Sequence, residues 1–134
     1  MQTVSDFFQR YAKAYVATEV SAFAEFISLP SMLLSGHNKT LLTDVDSVQS
    51  HVLSQVEKYR QLGVVNAEPV LQHQLRLSDQ LQFVSVYWRF YDAKDKILFT
   101  CHTSYTLQKA AEQWQVVAII LDDEQAAYSR ASAS

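Results

Sequence analysis

The hydrophobic residues of this chain change their spacing once along the sequence, from the repeat of an amphipathic helix to that of β-strands. Between residues 45 and 62 they recur at intervals of three and four, which predicts one long helix. Its apolar face comprises Val45, Val48, Val52, Val56, Tyr59 and Leu62. From residue 70 onward, four stretches have strand-like spacing, separated by polar breaks such as "DAKD" and "QKAAEQ". Helices followed by a run of strands predict the α+β class.

Two shorter helices are predicted near the start of the chain. Phe8, Tyr11 and Tyr15 stand at positions i, i+3 and i+7 and predict the first of them. A second apolar stripe begins at Val20 and must end before Pro30, because proline disfavours helical geometry in the residue that precedes it. The segment "SMLLSGHNKTLL" that follows has two short apolar runs around turn-forming residues, which predicts a short hairpin or a strand and loop.

Three local patterns, with the order of the predicted elements over residues 5–124, resemble the nuclear transport factor 2-like superfamily, also called SnoaL-like or cystatin-like. The patterns are the helix pair that ends at "SLP", the loop "SGHNKTLLTDVDSV" before a helix, and the closing "YTLQKAAEQWQVVAIILDDE". The resemblance implies a curved antiparallel sheet of four long strands plus a short hairpin, wrapped around three N-terminal helices as a cone. It further implies a pocket inside the cone and dimerisation through the outer side of the sheet.

Length and composition limit the classes of protein to consider. The 134 residues are 49% hydrophobic, so we expect a single domain over residues 1–128 and a mobile tail of small residues over 129–134. No apolar run reaches the roughly 18–20 residues of a membrane span. We therefore expect a soluble chain. Its single cysteine, Cys101, cannot form an internal disulfide, which favours a cytoplasmic location. Scattered charges, 11 basic and 14 acidic, argue against nucleic acid as a partner.

The stretch "VSVYWRFYDAKDKILFTCHTSYTL", residues 84–107, predicts the central hairpin of the sheet. Neither face of its first strand is polar enough to meet water, so one face is expected to pack under the helices and the other against a second subunit, giving a homodimer. A three-residue loop "AKD" would put Val86 opposite His102, whereas a four-residue loop "DAKD" would put Ser85 there. The first register is preferred because of the residues it groups on one face, which are Tyr87, Arg89, Phe99 and Cys101.

Four residues, Tyr15, Trp88, Arg89 and His102, are predicted to lie at the pocket and bind a ligand. Tyr15 resembles, by position only, the helix tyrosine with which some ketosteroid isomerase relatives polarise a substrate carbonyl; the alternative is core packing. Arg89 can clamp a carboxylate or stack on a ring, or else it covers the sheet edge or pairs across the dimer. His102 can transfer a proton near neutrality, or it is a hydrogen-bonded strand histidine.

Three residues are candidates for catalysis: His102, His37 and Asp122. His37 lies in the turn-like "SGHNK", which in the resembling family is near the mouth of the cone, or it is a solvated loop residue. Asp122 ends the last strand, where an apolar cavity would make its carboxylate an acid or base; the alternative is an exposed strand end. His51 and His73 are interpreted as structural.

Two hypotheses of different class follow from these residues. The first is a pocket protein that binds a small apolar or aromatic molecule, with or without proton transfer of the isomerase, cyclase or dehydratase type. The second is a non-catalytic dimeric module that binds protein through its sheet, and a small cavity beside a large apolar sheet surface would distinguish it. Neither hypothesis includes a metal or cofactor. The four histidines include no pair at helical spacing i, i+4, as a zinc site on a helix would require. The two glycines, Gly36 and Gly63, are too few for a glycine-rich loop that binds the phosphates of a nucleotide.

Overall fold

The computed structural model describes residues 3–17, 23–36 and 38–121, and it confirms the α+β class. In chain order, the described elements are α1 (Val4–Val16), α2 (Phe23–Phe26), β1 (Ile27–Leu34), β2 (Lys39–Leu42), α3 (Val45–Leu62), β3 (Asn66–Arg76), β4 (Leu81–Tyr91), β5 (Ile97–Ala110) and β6 (Gln113–Leu121). The strands form one curved sheet in the order β2-β1-β6-β5-β4-β3. Neighbouring strands are antiparallel except for β1 and β6, which run parallel.

The sheet and the helices differ in detail from the predicted four long strands, separate hairpin and three helices. The hairpin of β1 and β2 joins the main sheet through β1, so the described residues form a six-stranded sheet. The described part of the second helix is a single turn, α2, which ends at Phe26 because Ile27 already pairs with Val116 of β6. Pro30 lies inside β1 at a register shift between Ile27 and Met32, where the ladder is interrupted and a missing amide hydrogen is tolerated. Residues 18–22 lie outside the described ranges.

The helices α1 and α3 cover the concave side of the sheet, here called the inner face. Phe8 of α1 is fully buried, with its ring centroid 4.9 Å from that of Tyr105 and 6.4 Å from that of Trp88. Val52 and Tyr59 of α3 are buried in the same core. Strand β4 contributes one set of alternate residues to it, namely Val84, Val86, Trp88 and Phe90. The core therefore lies between the helices and the inner face.

The β4–β5 turn has the predicted three-residue loop. The backbone amide of Asp92 donates to the carbonyl of Lys96 at 2.9 Å, and Asp95 adopts a left-handed φ of 60°. This geometry is typical of a three-residue hairpin loop. The Asp92 carboxylate accepts from the amides of Lys96 at 3.0 Å and Lys94 at 2.8 Å, and these hydrogen bonds lower the pKa of Asp92.

The register beyond this loop differs from both predicted pairings. One residue, Leu98, is bulged out of the ladder, because Tyr91 pairs with Ile97 while Phe90 pairs with Phe99. As a result, Tyr87 lies opposite His102. The predicted pairings of His102 with Val86 or Ser85 are wrong, since loop length fixes only the pairs next to the turn and a bulge shifts the rest.

The first turn of α3 is held by a capping box between Asp44 and Ser47. The Asp44 carboxylate accepts from the Ser47 amide at 2.7 Å, and the Ser47 hydroxyl accepts from the Asp44 amide at 3.4 Å. We expect Asp44→Ala to lower the free energy of unfolding by about 1 kcal/mol in urea denaturation, because a backbone donor loses its partner. Asp44→Asn keeps an acceptor and should lose only a few tenths of that; equal losses in the two variants would contradict the capping role.

Candidate functional site

A small cavity lies between α1, α3 and the inner face of the sheet. Its volume is about 30 Å³, which is the space of about one water molecule. Pockets that hold drug-sized ligands are larger, at roughly 300–1,000 Å³. Besides apolar residues, the lining includes Tyr11, Tyr15, His51, Tyr59, Thr103 and Tyr105. The cavity is therefore small, and its walls carry several hydroxyl groups and one imidazole.

Aromatic rings form the walls of this cavity. The Tyr15 ring centroid is 5.9 Å from that of Tyr11 on the same helix and 5.7 Å from that of Tyr59 on α3. On the sheet side, the indole nitrogen of Trp88 donates to the Tyr105 hydroxyl at 3.1 Å in a buried hydrogen bond. This bond satisfies the indole donor and fixes the orientation of Trp88, which also lines the cavity.

His51 is the titratable imidazole of the cavity, and the sequence interpretation missed it. It is half-buried on α3, and burial lowers the pKa of His51, with a further contribution from the charge of Lys58. Within the described ranges its imidazole makes no hydrogen bond to the protein. The sequence did contain a signal, because His51 follows Val48 by three residues and precedes Tyr59 by eight, which puts it beside the buried face of the helix.

The structure separates the four residues predicted to bind a ligand. Tyr15 and Trp88 line the cavity, whereas Arg89 and His102 lie on the opposite, outer side of the sheet. Trp88 and Arg89 are neighbours on one strand, so their side chains point to opposite faces. The register shift at Leu98 puts His102 on the same side as Arg89. The four side chains do not converge on one space.

Arg89 and His102 belong to a polar and aromatic cluster on that outer side. The Arg89 guanidinium lies 3.3 Å from the Glu68 carboxylate and 5.7 Å from the Tyr87 ring centroid. The Tyr87 and His102 rings are 4.8 Å apart, and the Tyr91 hydroxyl donates to Glu68 at 2.9 Å. Hydrogen bonding with Tyr91 and the charge of Glu68 raise the pKa of Arg89, so the guanidinium stays charged.

The outer side of the sheet also carries apolar side chains, and we call it the outer sheet face. Strand alternation and register assign to this face the apolar residues Met32, Leu34, Leu41, Val70, Leu75, Phe83 and Ile120. Several are exposed, with Leu41 and Leu75 both at 57%. The described helices pack on the inner face, so none of them covers this surface.

The other two candidates for catalysis, His37 and Asp122, lie outside the described ranges. In the part of the chain that the structure describes, no group of three or more histidine, cysteine or acidic side chains is arranged to hold a metal ion. None of the described helices is both long and apolar enough to span a membrane.

Comparison with known proteins gives a family match over most of the chain. A family model described as "NTF2-like protein (DUF6841)" matches residues 2–124. A search of the curated proteins found no match.

Solved structures with a similar fold have low sequence identity. Aln2 from a Streptomyces species is 16% identical, with a TM-score of 0.68 and coverage of 95% of this chain and 93% of Aln2. A cystatin-like domain of unknown function from Nostoc punctiforme is 15% identical, with a TM-score of 0.67 and coverage of 87% and 72%. A Xanthomonas campestris protein described as a putative calcium/calmodulin dependent protein kinase II association domain is 11% identical, with a TM-score of 0.63 and coverage of 89% and 84%. These likenesses show the fold alone.

Proposed function

The chain belongs to the NTF2-like protein family (DUF6841), and on that premise we propose that it is a homodimeric association module whose two copies pack through the outer sheet face. The observation that carries this proposal is the apolar surface that the described helices leave uncovered. Large exposed apolar surfaces usually mark interfaces. The small cavity supports the same choice, because it leaves little space for a ligand on the other side of the sheet.

A second copy of the chain is the occupant that fits the charges of this surface. The outer sheet face carries both Glu68 and Arg89, whose side chains are 47% and 41% exposed. A twofold interface brings the same patch of each subunit together, so a patch with both signs of charge can complement itself. The Xanthomonas campestris protein is described as an association domain, which is consistent with assembly through this fold.

Sedimentation velocity of the purified chain tests this proposal. We expect a dimer at micromolar concentration, with dissociation only on strong dilution. A monomer at high micromolar concentration would contradict it. In such a dimer Arg89 and His102 would contact the partner, while their predicted roles at a ligand, and those of His37 and Asp122 in catalysis, stay predictions.

A second candidate function is the binding of a small apolar or aromatic molecule in the cavity. The specific observation that favours it is the His51 imidazole, which lines an aromatic-walled cavity without a hydrogen-bond partner in the described ranges. A ligand of one ring would need Tyr15 and Leu121, half-buried residues of the lining, to move aside. A neutral imidazole is also the group that proton transfer of the isomerase, cyclase or dehydratase type would use.

Titration with toluene, followed by NMR, tests whether the cavity opens to a single ring. We expect the indole N–H signal of Trp88 to shift in a saturable way, because Trp88 lines the cavity. The signal of Trp114, which is outside the cavity lining, serves as the control and should stay in place. Shifts of both signals without saturation would indicate nonspecific binding and reject this function.

A further inference from the structure

His51 is a half-buried polar side chain in the lining of the cavity. It projects from α3 into the cavity, where its neighbours in the lining include the aromatic rings of Tyr15, Tyr59 and Trp88. Among the described residues, no buried side-chain nitrogen or oxygen lacks a hydrogen-bond partner. The His51 imidazole makes no hydrogen bond within these ranges and is only half-buried, so its nitrogen atoms are accessible to water or to a ligand atom.

The surroundings of His51 determine its protonation state. Burial lowers the pKa of His51 and the cation of Lys58 lowers it further. The other titratable groups in the described lining are the phenols of Tyr11, Tyr15, Tyr59 and Tyr105, and no carboxylate is among them. A neutral imidazole carries a proton on one nitrogen and accepts a hydrogen bond with the other.

We propose that His51 makes the cavity selective for small aromatic or enolic molecules that carry a hydroxyl group, by accepting a hydrogen bond from that hydroxyl. This inference rests on the second candidate function, the binding of one ring in the cavity. The ring of the ligand packs against Trp88 and the tyrosines, and its hydroxyl points at α3. No covalent step is involved, so His51 acts as a specificity-determining residue.

Phenol and toluene are a matched pair of probes for this inference, because a hydroxyl in one replaces a methyl group in the other. One net hydrogen bond corresponds to an affinity ratio of about 2- to 12-fold. NMR titration measures the affinity for each probe in the wild-type chain and in His51→Phe. We expect the ratio of phenol affinity to toluene affinity to be about 2- to 12-fold higher in the wild type. The phenylalanine keeps a planar ring and removes both nitrogen atoms.

Two further variants separate the role of the acceptor from other effects. His51→Gln retains an oxygen acceptor and should keep part of the phenol preference. Ser54→Phe, at an exposed position of α3 outside the described cavity lining, should leave both affinities unchanged. An equal affinity ratio in wild type and His51→Phe would overturn the role of His51 while the cavity function stands, provided that toluene still binds. Failure of both probes to bind the wild-type chain would overturn the cavity function and this inference with it.

The pH dependence of phenol binding provides an independent readout. Because the pKa of His51 in the folded chain is below its usual value of about 6.5, the neutral imidazole is the major form at that pH and above it. Phenol stays protonated up to about pH 9, because phenols ionise near pH 10. The phenol preference should therefore decline on acidification with a midpoint below about pH 6.5, and His51→Phe should show no such decline. A midpoint above about pH 6.5 would contradict the neutral-acceptor role.

Discussion

Replacing Phe8 with alanine is expected to lower the free energy of unfolding by about 3–5 kcal/mol. Phe8 has no exposed surface and its ring meets Trp88 and Tyr105 of the sheet, so it joins α1 to the inner face. Alanine at this position removes the burial of a whole aromatic ring and leaves a void that the surrounding side chains cannot fill completely. Urea denaturation, followed by tryptophan fluorescence and circular dichroism, measures the loss.

Leu53→Ala is the control for Phe8→Ala. Leu53 is 46% exposed on α3, next to the buried Val52. A surface substitution of this kind usually changes stability by no more than about 0.5 kcal/mol. A loss below about 1.5 kcal/mol for Phe8→Ala, well under the usual range for a buried phenylalanine, would show that α1 is not packed on the sheet as described.

Ile120→Glu is expected to weaken the proposed dimer by at least about 100-fold in dissociation constant, which corresponds to about 2.7 kcal/mol. Ile120 lies on β6, in the middle of the outer sheet face, where Ser104 and Leu34 are its cross-strand neighbours. A twofold interface would bury two new carboxylates, and burying a charge without a dedicated partner is costly. Sedimentation velocity over a dilution series measures the change.

Leu53→Glu introduces the same charge on the helical side of the molecule and serves as the matched control. It should leave the dimer intact, because α3 packs on the inner face and Leu53 is exposed there. Circular dichroism of both variants establishes that they are folded. A wild-type-like dimer in Ile120→Glu would show that the subunits associate through another surface.

The class of fold could be predicted from the sequence because each element has its own repeat of apolar residues. The helix over residues 45–62 agrees with its predicted span, and β4 and β5 form the predicted hairpin, since a buried face fixes which residues must be apolar. The second helix ends at Phe26, before the limit at Pro30 that the sequence predicted. Its apolar stripe also fits a strand, and pairing of Ile27 with Val116 decides between the two.

The members of the cavity could be predicted only in part. Tyr15 lies on the apolar stripe of a helix, and Trp88 lies on one face of a strand that is apolar on both sides. His51 was interpreted as structural because one step from an apolar stripe is an ordinary position for a polar residue. Only the approach of α3 to the sheet gives its imidazole a place at the cavity.

The sequence by itself determined the α+β class, the family resemblance and the residues of the main core, because periodic burial is a local property of each element. The tertiary structure decided which groups share a face. In β4 and β5, one bulged residue, Leu98, puts His102 beside Tyr87 and Arg89 and away from the cavity. A one-residue shift moves every later side chain of a strand to the other face, and such a shift depends on contacts between strands, which the spacing along one strand does not record.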